Sequence, residues 1–208
     1  MKRITPYKTV TGAVRALDNG GRFYNLFTTA GDDTITKAEL AKVAGAFKDM
    51  QTAMLFFDLA TLDLSDGDRQ KLTKSLGPKL RKARATNRTD VVSPAEFVRA
   101  GRAGKSYLIE GVPEPIDEEA VQTGVIMVPM MIGKVMMVMP MPTSECFSVY
   151  TLGQGRRSPC LILAKKSVRL SSAVHRFAGV AKATKMGDGP RARERLCLQP
   201  AYYSVVDE

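Results

Sequence analysis

The feature that most constrains this chain is a change of periodicity near Gly101–Lys105. Before it, apolar residues recur at three- and four-residue steps. After it the sequence becomes β-branched, methionine-rich and punctuated by proline. The first pattern is that of one helix face and the second that of short strands. The expected fold class is therefore α+β, with a helical domain over 1–104 and a β-rich domain over 105–208.

In the first half, Leu40, Val43, Ala44, Phe47, Met50 and Met54 share one face of an amphipathic helix that begins near Thr36. Phe23, Leu26 and Phe27 form a shorter stripe behind Asn19-Gly20-Gly21. Ser65 is placed to cap a helix carrying Leu72, Leu76 and Leu80, and Gly77-Pro78 should end or kink it. A last helix is predicted from Pro94 to about Arg102.

In the second half, the apolar runs Val125–Ile132 and Val135–Met139 flank Gly133-Lys134, a two-residue connection suited to a type II′ hairpin turn. Further strands are predicted at 146–152, 160–164, 177–184 and 195–206, the last broken at Pro200. Such a set forms a small antiparallel barrel or sandwich. The seven methionines between Met127 and Met141 alternate with valines in the manner of ordinary core.

One local pattern occurs twice, as Asp33-Thr34-Ile35-Thr36-Lys37-Ala38-Glu39-Leu40 and as Asp90-Val91-Val92-Ser93-Pro94-Ala95-Glu96-Phe97. Thr36 and Ser93 can accept a bond from the third helical amide while Glu39 and Glu96 reach back to the cap, which is a capping box. Pro94 suits the first helical position, and Ile35 and Val92 are placed to staple onto Leu40 and Phe97.

The same residues resemble the second half of an EF-hand loop. Ile35 and Val92 fall at its eighth position and Glu39 and Glu96 at its twelfth, with Phe23–Phe27 as the end of an entering helix. The resemblance covers roughly the first hundred residues and implies a paired helix-loop-helix module. The leading ligand positions hold Thr28 and Ala30 in one loop and Ala85, Asn87 and Thr89 in the other. Calcium requires six to eight oxygens with several carboxylates, so a module of this kind would be metal-free. Two readings stand: well-capped helix starts alone, or a metal-free EF-hand-like pair.

Composition narrows the chemistry. The three cysteines, Cys146, Cys160 and Cys197, form no C-x-x-C pair and read as reduced, mostly buried thiols. His175 is the sole histidine and has no motif around it; a structural or solvent-exposed role is expected. No nucleophile elbow, phosphate loop or dinucleotide fingerprint is present, so no catalytic residue, metal ligand or cofactor is assigned. The basic start of the chain lacks the apolar run of a signal peptide, and 125–141 is interrupted by Pro129, Gly133, Lys134 and Pro140. Neither export nor a membrane span is expected, and a cytoplasmic location follows.

The net charge of +10 favours anionic partners. Its densest cluster is Lys79, Arg81, Lys82, Arg84 and Arg88, with Arg156, Arg157, Lys165, Lys166 and Arg169 adding cations to the β half. Phe147, Tyr150, Phe177, Tyr202 and Tyr203 are the rings that a single-strand-binding barrel would use for stacking. The leading expectation is a non-enzymatic protein-interaction or assembly protein, binding a protein partner or itself. The alternative is weak, sequence-independent nucleic-acid binding through that basic surface.

Overall fold

The computed structural model describes residues 1–18, 32, 34–44, 49–132, 135–153, 159–186 and 193–206. Among these residues six helices, α1 (Val10–Asp18), α2 (Lys37–Ala44), α3 (Met50–Ala60), α4 (Asp66–Lys74), α5 (Pro78–Thr86) and α6 (Pro94–Ala100), accompany eight strands. The strands are β1 (Lys2–Arg3), β2 (Thr89–Val92), β3 (Ser106–Gly111), β4 (Pro113–Ile132), β5 (Val135–Leu152), β6 (Cys160–Lys165), β7 (His175–Met186) and β8 (Arg193–Val205). The fold is α+β. No helix among the described residues is long and apolar enough to cross a membrane.

All eight strands belong to one sheet of order β2-β3-β7-β8-β6-β5-β4, with β1 beside β8. The sheet is mixed: β1 and β6 run parallel to β8, and β2 runs parallel to β3. Val112 alone joins β3 to β4, although β4 is the far end of the hydrogen-bonded order. The strands must therefore wrap round so that β4 begins close to where β3 ends. Of the two expected forms, an antiparallel barrel or a sandwich, the barrel does not form. β3 already has β7 on one edge and β2 on the other, leaving no free edge for β4, and the sheet stays open.

One face of the sheet packs on helices. α3 is the most apolar helix, and its buried residues Met54, Leu55, Phe56, Phe57 and Leu59 form a common core with Leu108 of β3, Ala178 of β7 and Tyr202 of β8. The Phe56 and Tyr202 rings meet edge to face at 5.5 Å. The other face encloses a second core of Tyr107, Ile109, Tyr150, Ile162, Phe177 and Leu198, closed by Phe97 from α6. Polar ties span the same layers. Gln51 on α3 donates to the Gly104 carbonyl (2.9 Å) and Ser106 Oγ (3.0 Å), and Arg176 on β7 binds both Glu110 of β3 and Asp63 behind α3.

The apolar stripe that reads as one helix from Thr36 is two. Asp49 starts α3 afresh, its carboxylate accepting from Thr52 N–H at 2.7 Å. Residues 45–48, and the stripe at Phe23–Phe27, lie outside the described residues. α1 was not expected, yet Val10, Ala13, Val14 and Leu17 have helical spacing and Thr9 Oγ1 accepts from Gly12 N–H at 3.1 Å. Ser65 caps α4, and Gly77-Pro78 separates α4 from α5.

Both capping boxes are present. Glu39 N–H donates to Thr36 Oγ1 while Thr36 N–H donates to Glu39 Oε2, and Ser93 and Glu96 repeat the pattern at 3.2 and 2.9 Å. Ile35 bridges Leu76, and Val92 pairs with Ile109. Ser93→Ala is expected to lower the unfolding free energy by about 1 kcal/mol, read from denaturant midpoints. The amide and hydroxyl of Ser93 hold the Glu96 carboxyl below its ordinary range. A lowered folded-state value contributes stability that is present above the unfolded pKa and lost as pH falls through the folded one. Glu96→Gln should therefore flatten the acid limb of a stability profile. An unchanged limb would show that the box does not form in solution.

Candidate functional site

The most unusual element is the β4–β5 hairpin. Its antiparallel ladder runs from Pro113↔Leu152 to Ile132↔Val135, with irregularities at Pro115/Asp117 and Gln122/Gly124. The hairpin read from Gly133-Lys134 is thus present, and its strands extend well beyond the two apolar runs. β6 supports β5 only from Phe147 to Leu152. Farther out, no third strand among the described residues pairs with the hairpin, which projects as a two-stranded arm. At about 3.3 Å per residue, the dozen residues from Val121 to Ile132 span roughly 40 Å.

Side chains two apart on a strand share a face. Met127, Pro129 and Met131 therefore lie together, and Val138 joins them because it is paired with Pro129. All four are exposed: Met127 by 68%, Met131 by 71% and Val138 by 58%. Met139, on the opposite face, is exposed as well. These residues are not the ordinary core that their alternation predicts. Period-two apolar spacing says that a strand has an apolar face, while only tertiary contacts decide whether anything covers it.

The basic cluster divides. Lys79, Arg81 and Lys82 of α5 are exposed, as is Arg88 ahead of β2. Arg84 turns inward, 3.3 Å from Asp58, over the Phe57 ring at 5.2 Å and bonded to Thr73. Burial pushes the Asp58 carboxyl above its ordinary value, which Arg84 and Thr89 partly offset. Arg84 is thus a structural cation between α3, α4 and α5. Lys165 and Lys166 are exposed at the end of β6, with three strands between it and β2 in the sheet order. Arg156 and Arg157 lie outside the described residues.

A grouping that the linear reading missed forms where β2, α6 and the start of β3 meet. Arg88, Arg99, Arg102 and Lys105 line a cleft of about 550 Å³ with Asp90 and Glu96. Its wall includes Tyr107, whose hydroxyl accepts from Arg102 N–H at 2.9 Å and whose ring meets Phe97 edge to face. No run of cations announces this site in the sequence. It is assembled by the parallel β2–α6–β3 crossover, which returns Lys105 beside Arg88.

The rings proposed for base stacking are not available for it. Phe147, Tyr150, Phe177 and Tyr202 are buried in the cores, and Tyr203 is half-buried against His175. His175 is itself buried, stacked on Phe177 at 5.7 Å, with Nδ1 2.7 Å from the Ala173 carbonyl. That is a structural position. Among the described residues no cluster of potential ligands could hold a metal ion.

Cys160 and Cys197 are buried and Cys146 on the arm is exposed, and none of the three is in a disulfide. Burial, reinforced by Cys197, pushes the Cys160 thiol up to about 12. Since the thiolate is the nucleophile, mildly alkaline alkylation of the folded protein should modify Cys146 rapidly and leave Cys160 and Cys197 intact. All three should react after denaturation. Peptide mass mapping checks this, and rapid native labelling of Cys160 would contradict the packing of β6. No protein-family model matches the chain, and no curated protein is significantly similar to it.

Proposed function

We propose that the protein is a non-enzymatic interaction or assembly protein that engages a protein partner through the β4–β5 arm. One observation carries this reading: Met127, Pro129, Met131 and Val138 form an exposed apolar face on a hairpin that projects past its supporting strand. A two-stranded hairpin is marginal in water by itself, and a contiguous exposed apolar surface marks an interaction site. Methionine supplies flexible, polarizable side chains that adapt to a partner surface. A photo-crosslinking side chain installed at Met131 should give protein adducts in the cells that make the chain. The same group at Gly67, exposed on α4, should not. Equal labelling at both positions, or none at Met131, would remove the support for this reading.

A second reading is favoured by the cleft cations Arg88, Arg99, Arg102 and Lys105 together with exposed Lys79, Arg81 and Lys82. Such a surface binds nucleic-acid phosphates weakly and without sequence preference. Filter binding to mixed-sequence DNA and RNA should then weaken steeply with salt, and Lys79→Gln, Arg81→Gln and Lys82→Gln combined should reduce that slope. Salt-independent retention would exclude it.

A further inference from the structure

We infer that the β2–α6–β3 cleft is a discrete site for the phosphate group of a small phosphorylated molecule, held by Arg88, Arg99, Arg102, Lys105 and the hydroxyl of Tyr107. A diffuse nucleic-acid surface would use these cations only for their charge. A discrete site uses them as a set fixed in place, and it is independent of the arm.

Charge selects the ligand class. Arg88 lies 3.8 Å from Asp90, whereas Arg99, Arg102 and Lys105 make no ion pair among the described residues. Of the two acids that line the cleft, Asp90 faces Arg88 and Glu96 has Oε2 engaged by the Ser93 amide and hydroxyl. The four cations and two acids leave the cleft at net +2. A phosphate monoester, at about −1.5 to −2, balances that charge, and a single carboxylate does not. Three of the four cations are arginines, whose planar forks meet phosphate oxygens in pairs. The dipole at the C-terminal end of α6 accounts for cations at Arg99 and Arg102. It does not account for Arg88 and Lys105, which precede Thr89 and Ser106, the first paired residues of β2 and β3.

The cleft also holds a buried donor. Tyr107 is 5% exposed, and its hydroxyl accepts from Arg102 N–H while its own proton has no acceptor among the described residues. An unused phenolic donor beside unpaired cations is suited to an oxyanion. The surrounding wall is stiff. The Tyr107 ring is braced edge to face by Phe97, and Gly101 sits so close to its neighbours that a Cβ there would strike the Phe97 carbonyl and come within 2.7 Å of Leu196 Cδ2 on β8. The end of α6 that carries Arg99 and Arg102 is thereby pinned to the sheet, which lowers the cost of ordering it around a ligand. A volume of about 550 Å³ suits a small molecule.

Titration calorimetry of the full chain with inorganic phosphate, at fixed chloride concentration, tests the inference. Phosphate should bind with one-to-one stoichiometry and acetate should not. Arg99→Gln/Arg102→Gln should weaken phosphate at least about tenfold, since charge-assisted bonds to both side chains are lost. These two side chains are exposed, so the circular dichroism spectrum should stay that of the parent. Tyr107→Phe should weaken phosphate severalfold, and an unchanged affinity would overturn the role of its hydroxyl. Lys79→Gln/Arg81→Gln/Lys82→Gln, on α5, should leave phosphate binding as it is. Equal losses from the α5 and cleft variants, equal binding of acetate, or no phosphate binding at millimolar concentration would overturn the discrete site. Competition separates this result from the nucleic-acid reading. A mixed-sequence oligonucleotide that binds but is not displaced by phosphate would overturn the phosphate site and leave that reading standing. Phosphate bound in the cleft of a chain that retains no oligonucleotide would uphold the site and sink the nucleic-acid reading.

Discussion

Phe177→Ala is expected to lower the unfolding free energy by about 3–5 kcal/mol, the usual range for emptying a phenylalanine site in a closed core. Phe177 lies on β7, the strand between β3 and β8, and is fully buried on the enclosed face with Tyr107, Ile109, Ile162 and Leu198 as members of the same core. These neighbours come from three strands, β3, β6 and β8, that hydrogen bonding holds in register with one another and with β7, so the walls cannot collapse into the space. The substitution also removes the ring on which His175 stacks. Chemical denaturation read by far-ultraviolet circular dichroism measures the effect. Val91→Ala, at an exposed site, should stay within about 0.5 kcal/mol of the parent. A loss below 1 kcal/mol at Phe177 would mean that this face of the sheet is not closed.

Gly179→Ala should be a strongly damaging single-methyl change, at about 1–3 kcal/mol or more. A Cβ there would lie 2.5 Å from the Gln199 carbonyl oxygen and 2.7 Å from Pro200 Cα. Both are backbone atoms of β8, so no rotamer change relieves the overlap. The site coincides with the register shift between β7 and β8, where Ala178 pairs with Tyr202 but Gly179 pairs with Pro200. This bulge accommodates a proline inside a paired strand, because the missing donor falls where the ladder is already interrupted. It also shifts the alternation of β8, turning Tyr202 toward the helices while Leu198 faces the enclosed core. Gly67→Ala offers the opposite control. On α4, with open space around it, the added methyl should stabilise by about 0.4–1 kcal/mol. Equal effects at the two glycines would remove the argument for close approach at Gly179.

What the sequence determined by itself is local. The Thr36–Glu39 and Ser93–Glu96 boxes, the Ser65 cap, the break at Gly77-Pro78 and the hairpin around Gly133-Lys134 all depend on groups a few residues apart, and each is present or, for the two turn residues, flanked by the expected pairing. The choice between an open sheet and a barrel was not legible. It turned on the pairing of Thr89 with Ser106 across α6, which occupies the edge of β3 that closure would need. Arg84 reads as one more surface cation because its partner Asp58 is 26 positions earlier, on another helix. The cleft cations are likewise brought together only by the return of β3 alongside β2. The methionines illustrate the same division. Alternation is a property of one strand, but exposure depends on whether another element covers it, and beyond Phe147 the arm has left the supporting strand β6 behind. Capping and turns are decided by energies within one or two turns of chain, whereas edges, clefts and exposed faces are decided by which distant segments reach each other first-hand in the folded molecule.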